Sequence, residues 1–274
     1  MKKLVLLGTL MAILLFNLSG QAKDMSLAEM NETEINLFLK EIKTLPFIQR
    51  LEKVSEKAIG TTYFLGPLGE GENSPHDKNP LIDLKRVDCV TFCEQSIALA
   101  MSNDYPTLIK NLQKIRYKNG DIRIEKRNHY FMADWAINNS WLIRDITSEI
   151  GGKMARPLTR TISHEKFFAN SIYKGIISEE PDRNLTISYI PKSSLINVEK
   201  SLQSGDIGVF IQDMEGIFAS HTGLMIRKSN GELVFRNATS RPPKKVVDMP
   251  YPELVNYLKS APKNMGMAFL RIKP

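Results

Sequence analysis

The sequence predicts an α+β fold in which helices come first and an antiparallel sheet follows. Apolar residues recur at helical spacing between residues 26 and 116, and after residue 120 the texture changes to short β-rich runs divided by turn residues. The 274 residues are 42% hydrophobic and 24% charged, a globular profile that excludes a disordered, collagen-like or polytopic membrane chain. With no internal repeat and no linker-like stretch, residues 23–274 read as one domain.

The first 22 residues read as an address. Lys2 and Lys3 precede an apolar run of 13 residues, Leu4 to Phe16, where a spanning helix needs about 20. Gly20-Gln21-Ala22 then offers the small-x-small pattern of a signal peptidase site, so residues 1–22 are expected to be a signal peptide that exports the chain to the periplasm or beyond. No stable membrane insertion is expected once it is removed. Without the leader, 35 basic residues face 30 acidic ones, a net charge of +5. The basic residues are scattered rather than clustered, which argues against a nucleic-acid partner and suits an anionic substrate or envelope surface.

Along the chain, residues 26–59 read as helical, split by Pro46 and ended by Gly60. Residues 66–86 form a long Gly-, Pro- and Asp-rich loop; its Gly66-to-Gly71 run lacks the Lys-Ser/Thr of a phosphate loop. Asp88 is a plausible N-cap for a helix from Cys89 to about Met101, and a second helix follows Pro106 to about Arg116. Strands are expected at 121–125, 142–147, 185–190, 206–212, 222–228, 232–238 and 267–272, with a late helix at 251–259.

Three residues in this framework could carry chemistry. Cys89 falls in the first turn of a helix, where backbone N–H groups and the helix dipole are expected to lower a thiol pKa and to stabilise an oxyanion. Cys93, one turn further in, is expected to be a packed core thiol; Cβ directions on a helix do not favour a disulfide between the two. His221 opens an apolar strand and could serve as general base and acid. Asn237 ends the following strand and could orient the imidazole, as Asn does in Cys-His-Asn triads. His129 is a rival base. Cys89, Cys93, His129 and His221 could also be counted as four zinc ligands, but Cys-x3-Cys within one helix is unlike a zinc knuckle, so no metal or other cofactor is expected.

The hairpin between His221 and Asn237 is a test on paper. A two-residue Asn230-Gly231 turn pairs Ser229 with Glu232 and sends Asn237 to the opposite sheet face from His221. A three-residue loop, Ser229-Asn230-Gly231, pairs Lys228 with Glu232 and makes Asn237 a diagonal neighbour of His221 on the same face. The triad requires the three-residue loop.

These residues resemble a known family. Asp88-Cys89-Val90-Thr91-Phe92, the Gly205-Asp206 strand and the Ser220-His221-Thr222-Gly223 strand resemble the NlpC-type, papain-like cell-wall cysteine hydrolases. Gly60-Thr61-Thr62-Tyr63, the long loop and the segment Arg127 to Trp135 resemble its N-acetylmuramoyl-L-alanine amidase-like branch, over a span from about Glu56 to the C-terminus. The resemblance implies a papain-like fold, with the nucleophile at a helix N-terminus packed on an antiparallel sheet that carries the His. It implies metal-independent hydrolysis of the amide between N-acetylmuramic acid and L-Ala in peptidoglycan or soluble muropeptides, or, as in the wider family, of the γ-D-Glu–diaminopimelate bond. It also implies Cys89, His221 and Asn237 as the triad and Tyr63 as an oxyanion donor. Many relatives carry His at the third position, which leaves Thr239 as a fallback for Asn237. A carboxylate-rich peptide calls for a guanidinium near the cleft, for which Arg127 is the first candidate, with His129 and Tyr130 as companions; Asp134 and Trp135 could instead be packing residues. A non-catalytic muropeptide-binding protein and a zinc-stabilised module are the other readings.

Overall fold

A computed structural model describes residues 25–273, so the expected signal peptide lies outside the described residues. Asn31 caps α1 (Glu32–Ile42) through a reciprocal box with Glu34, and Pro46 starts α2 (Phe47–Lys57). The short strands β1 (Thr62–Tyr63) and β2 (Arg86–Val87) bracket the long loop and pair in parallel, which sets Tyr63 opposite Val87, two residues before Cys89. Asp88 then caps α3 (Cys89–Met101), and Asp104 caps α4 (Tyr105–Arg116).

The remaining strands form one antiparallel sheet. They are β3 (Ile143–Asp145), β4 (Arg156–Ile162), β5 (Arg183–Pro191), β6 (Ile207–Gln212), β7 (Ala219–Arg227), β8 (Leu233–Ala238), β9 (Val246–Pro250) and β10 (Asn264–Ile272). Their order is β4-β5-β10-β6-β7-β8-β9, with β3 also on β10. Helix α5 (His164–Ala169) leads into the segment before β5, and α6 (Tyr251–Ser260) connects β9 to β10. Each sheet face buries its own core. Leu224 and Ile226 of β7 pack with Phe92, Cys93 and Ile97 of α3, while Met225, Phe210 and Phe235 pack with Tyr251, Leu254 and Leu258 of α6. Strand alternation produces this division. Among the described residues no helix is long and apolar enough to cross a membrane.

The α+β architecture follows the sequence, with several differences, among them the short strands β1 and β2 and the helix α5, which the sequence reading did not contain. Residues 121–125 are not a strand: Asn119 and Gly120 turn the chain in left-handed geometry, Asp121 accepts from Arg123, and a 3-10 turn follows at Ile124–Lys126. Strands β4 and β9 have no counterpart in the sequence reading. Both are sheet edges, carry Pro157 and Pro250, and lack the apolar run that marks a buried strand.

Two buried features fix the frame beneath the site. Arg116 on α4 meets Glu94 on α3 at 2.9 Å, both side chains being about 5% exposed, and a second nitrogen donates to the Leu68 carbonyl at 3.3 Å. Gly223 of β7 lies directly against β8. A Cβ there would stand 2.6 Å from the Arg236 oxygen and 2.8 Å from Asn237 Cβ. Gly223→Ala is therefore expected to lower stability by about 1–3 kcal/mol, read from denaturant unfolding. An unchanged midpoint would show that the two strands separate at no cost.

Candidate active site

The β7–β8 hairpin has the register that the triad requires. The Lys228 N–H donates to the Glu232 carbonyl at 2.8 Å, and Gly231 closes the three-residue loop at φ +86°. Leu224 stands opposite Arg236 and Arg227 opposite Leu233. His221 and Asn237 thus share the α6 face, and His221 Nε2 lies 2.9 Å from Asn237 Oδ1. Because an amide oxygen only accepts, this contact places the imidazole proton on Nε2 and leaves Nδ1 with its lone pair. Asn237 is itself held by donation from Nδ2 to the Phe235 carbonyl at 3.2 Å. The ring packs between Phe210 and Phe235, with centroids 5.1 and 6.0 Å away. The hydrogen bonds of Thr239 go elsewhere: its N–H donates to the Lys245 carbonyl at 3.0 Å and its Oγ1 accepts from the Arg241 N–H at 3.2 Å.

Cys89 arrives from the other face. Asp88 Oδ1 accepts from the Thr91 N–H at 2.8 Å and Oδ2 accepts from the Gly66 N–H at 3.0 Å, so one carboxylate starts α3 and anchors the loop that precedes it. The half-buried Cys89 sulfur faces the N–H groups of Thr222, Val90 and Cys89 itself. It shares a cleft of about 130 Å³ with His221, Ser220, Asn128, His129 and Phe131. Cys93 is fully buried and packs against Thr222, as its position on the helix implies.

Charge in this cleft departs from the helix-dipole expectation. Burial, followed by the Asp88 carboxylate, pushes the Cys89 thiol up to about 12, although the three N–H groups act the other way. Burial lowers the pKa of His221, and the Asn237 hydrogen bond recovers only part of it. Both shifts favour the uncharged forms, a neutral thiol and a neutral imidazole lining one cleft. The Tyr63 hydroxyl lies beside Ser240 and is raised to about 12 by burial and by nearby Cys89 and Asp88. It stays protonated at neutral pH and can donate to an oxyanion.

The residues expected to meet substrate have other partners. Arg127 binds Glu70, Asp77 Oδ2 at 2.8 Å and the Tyr173 hydroxyl at 3.3 Å, so its guanidinium clamps the long loop instead of awaiting a ligand. The Tyr130 hydroxyl donates to the Ser163 carbonyl at 2.9 Å. His129 lines the Cys89 cleft, yet its Nε2 is held by the Ile124 carbonyl at 2.8 Å and its ring faces Phe167 and Phe168. Trp135 is fully buried, and Asp134 gathers the Tyr130 N–H, His164 Nε2 and Arg183, as packing residues do. The four candidate zinc ligands do not converge, and no group of three or more His, Cys, Asp or Glu among the described residues is arranged to hold a metal ion.

Sequence reasoning missed a second, larger cavity. His221, Ser220 and Asn237 also border a cleft of about 880 Å³ floored by Phe210, Phe235, Met249 and Tyr257 and rimmed by Ser240, Arg241 and Lys263. Its signal in the sequence is the Ser240-Arg241-Pro242-Pro243 turn directly after the Asn237 strand.

Two measurements check this site. Iodoacetamide is expected to modify Cys89 before Cys93 by peptide mass spectrometry, slowly at pH 7 because the thiol rests protonated; equal labelling would mean that the two thiols are equally accessible. Burial also holds His129 neutral, lowering its pKa from the usual 6.5 to about 4. The unfolded chain then binds the proton first, so stability present above pH 6.5 is lost as pH falls toward 4, by about 3 kcal/mol at most. His129→Gln should flatten this slope in denaturant unfolding, and an unaltered slope would remove His129 from the account.

Known proteins share this architecture. A crystal structure of a Legionella pneumophila protein of the DUF1460 family model superposes with a TM-score of 0.79 at 25% identity, covering 89% of this chain and 94% of that one. Crystal structures of an N-acetylmuramoyl-L-alanine amidase from Bacteroides uniformis superpose with TM-scores of 0.65 and 0.67, again at 25% identity, covering 83% of this chain and 99% of that one. No curated protein sequence matches significantly. The model of the AmiA-like family, described as N-acetylmuramoyl-L-alanine amidase-like, matches residues 53–267, and the chain belongs to that family.

Proposed function

We propose that this chain is a papain-like cysteine amidase of the NlpC type that hydrolyses the amide between N-acetylmuramic acid and L-Ala in peptidoglycan fragments. The observation that carries this reading is the shared cleft of Cys89 and His221, with Asn237 fixing the imidazole tautomer. The family supports a peptidoglycan amide as substrate, and the leader expected at residues 1–22 suits export to the compartment that holds it.

The chemistry follows from the protonation states. As Cys89 sulfur attacks the carbonyl, its proton passes to His221 Nδ1. Tyr63 and the Cys89 N–H donate to the oxyanion. Collapse breaks the C–N bond, and the imidazolium hands its proton to the departing amine. Water, deprotonated by His221, then hydrolyses the thioester and restores the thiol. Asn237 stabilises the imidazolium in both halves by keeping Nε2–H occupied. No step calls on a metal ion.

Mass spectrometry of defined muropeptides identifies the severed bond. The reading expects a free muramic acid carboxylate and an intact stem peptide that starts with L-Ala. Products split after D-Glu would move the activity to the γ-D-Glu–diaminopimelate bond, and no cleavage of any muropeptide would leave a binding protein. The rate also has a signed pH dependence: kcat/KM is expected to rise as pH passes a value below 6.5, where His221 loses its proton, and to stay level through pH 8. A rate that falls across pH 6–8 would indicate a preformed thiolate–imidazolium pair instead.

A further inference from the structure

The large cleft beside His221 has a chemistry of its own. It opens from His221, Asn237 and Ser220 and does not include Cys89, whereas the small cleft holds Cys89. The two meet at Ser220 and His221. Under the proposed hydrolysis, the acyl group ends on the Cys89 side and the departing amine ends beside His221, which protonates it. The larger cleft is then on the leaving-group side. Its volume, about 880 Å³, is in the range of sites that enclose a small peptide.

Its charge is one-sided. Arg241 and Lys263 stand on the rim, and no Asp or Glu lines the cavity. Several partly or fully buried arginines are neutralised by carboxylates, Arg116 by Glu94, Arg127 by Glu70 and Asp77, Arg183 by Asp134, Arg236 by Asp248 and Arg271 by Asp206, while Arg50 and Arg227 donate to backbone carbonyls; Arg241 is exposed. Arg241 has no such partner among the described residues. Its guanidinium instead lies over the Tyr257 ring, 4.9 Å from the centroid, and its backbone N–H donates to Thr239 Oγ1 at 3.2 Å. An aromatic seat pre-orients a guanidinium while leaving its N–H edge free for a carboxylate. The apolar floor and cationic rim together fit a short peptide that carries several carboxylates.

We propose that this cleft receives the leaving peptide and that Arg241 and Lys263 select it by pairing with its carboxylates, the task that Arg127 cannot perform from its own ion pairs. The proposal rests on the hydrolase reading for its direction, and its test separates the two. Steady-state kinetics compare a muropeptide that has free peptide carboxylates with the same compound amidated at those positions, for wild type, Arg241→Gln, Lys263→Gln and the double variant. Wild type is expected to prefer the acidic substrate about tenfold in kcat/KM, chiefly through KM, and the double variant to lose that preference. Titration calorimetry with the free stem peptide adds an arm that needs no turnover: wild type binds it, and the double variant binds it about tenfold more weakly or not at all. A preference and an affinity that persist in the double variant overturn the proposal. If wild type cleaves no muropeptide yet binds the free peptide through Arg241 and Lys263, the hydrolase reading falls while the carboxylate site stands.

Discussion

The site depends on the parity of one loop. Side chains alternate along a strand, so Asn237 reaches His221 only if an odd number of residues joins β7 to β8. Gly231 supplies the left-handed residue that closes Ser229-Asn230-Gly231, and the 2.9 Å contact between His221 Nε2 and Asn237 Oδ1 is the consequence. Gly223 permits the same contact from within β7, because a side chain there would occupy the space of Asn237 Cβ. The thiol then has to be delivered from the opposite face. Asp88 does this by holding the start of α3 and the Gly66 end of the loop with one carboxylate.

Burial decides how the site would work. A helix N-terminus stabilises an anion, by up to about 1–2 kcal/mol, but the cleft also removes water and sets Asp88 beside the sulfur. The second pair of effects outweighs the first, and the thiol rests protonated. His221 is held neutral by the same desolvation, which makes it a base at neutral pH instead of an imidazolium. Under the proposed hydrolysis, such a pair moves its proton during attack rather than before it.

Much of this was legible in the sequence, and the limits have physical causes. The cap at Asp88, the breaks at Pro46 and Gly60 and the hairpin register are local, so the residues at those positions announce them. Edge strands β4 and β9 are stabilised by one neighbour and tolerate Pro and polar residues, which erases their pattern. Arg127 illustrates a different limit. Its charge was plain, but its partners, Glu70 and Asp77, arrive from a loop 57 and 50 residues earlier. Nothing local distinguishes that clamped guanidinium from Arg241, which carries no carboxylate and faces the larger cleft.

The central claim is that one sulfur, with His221 as its base, performs the hydrolysis. Replacing it is the most direct measurement: Cys89→Ala, assayed on the muropeptide that the wild type cleaves. The account predicts a protein with an unchanged melting temperature and circular dichroism, and a turnover reduced by at least about 10⁴-fold. A folded Cys89→Ala protein that retains a substantial fraction of the wild-type rate would contradict it.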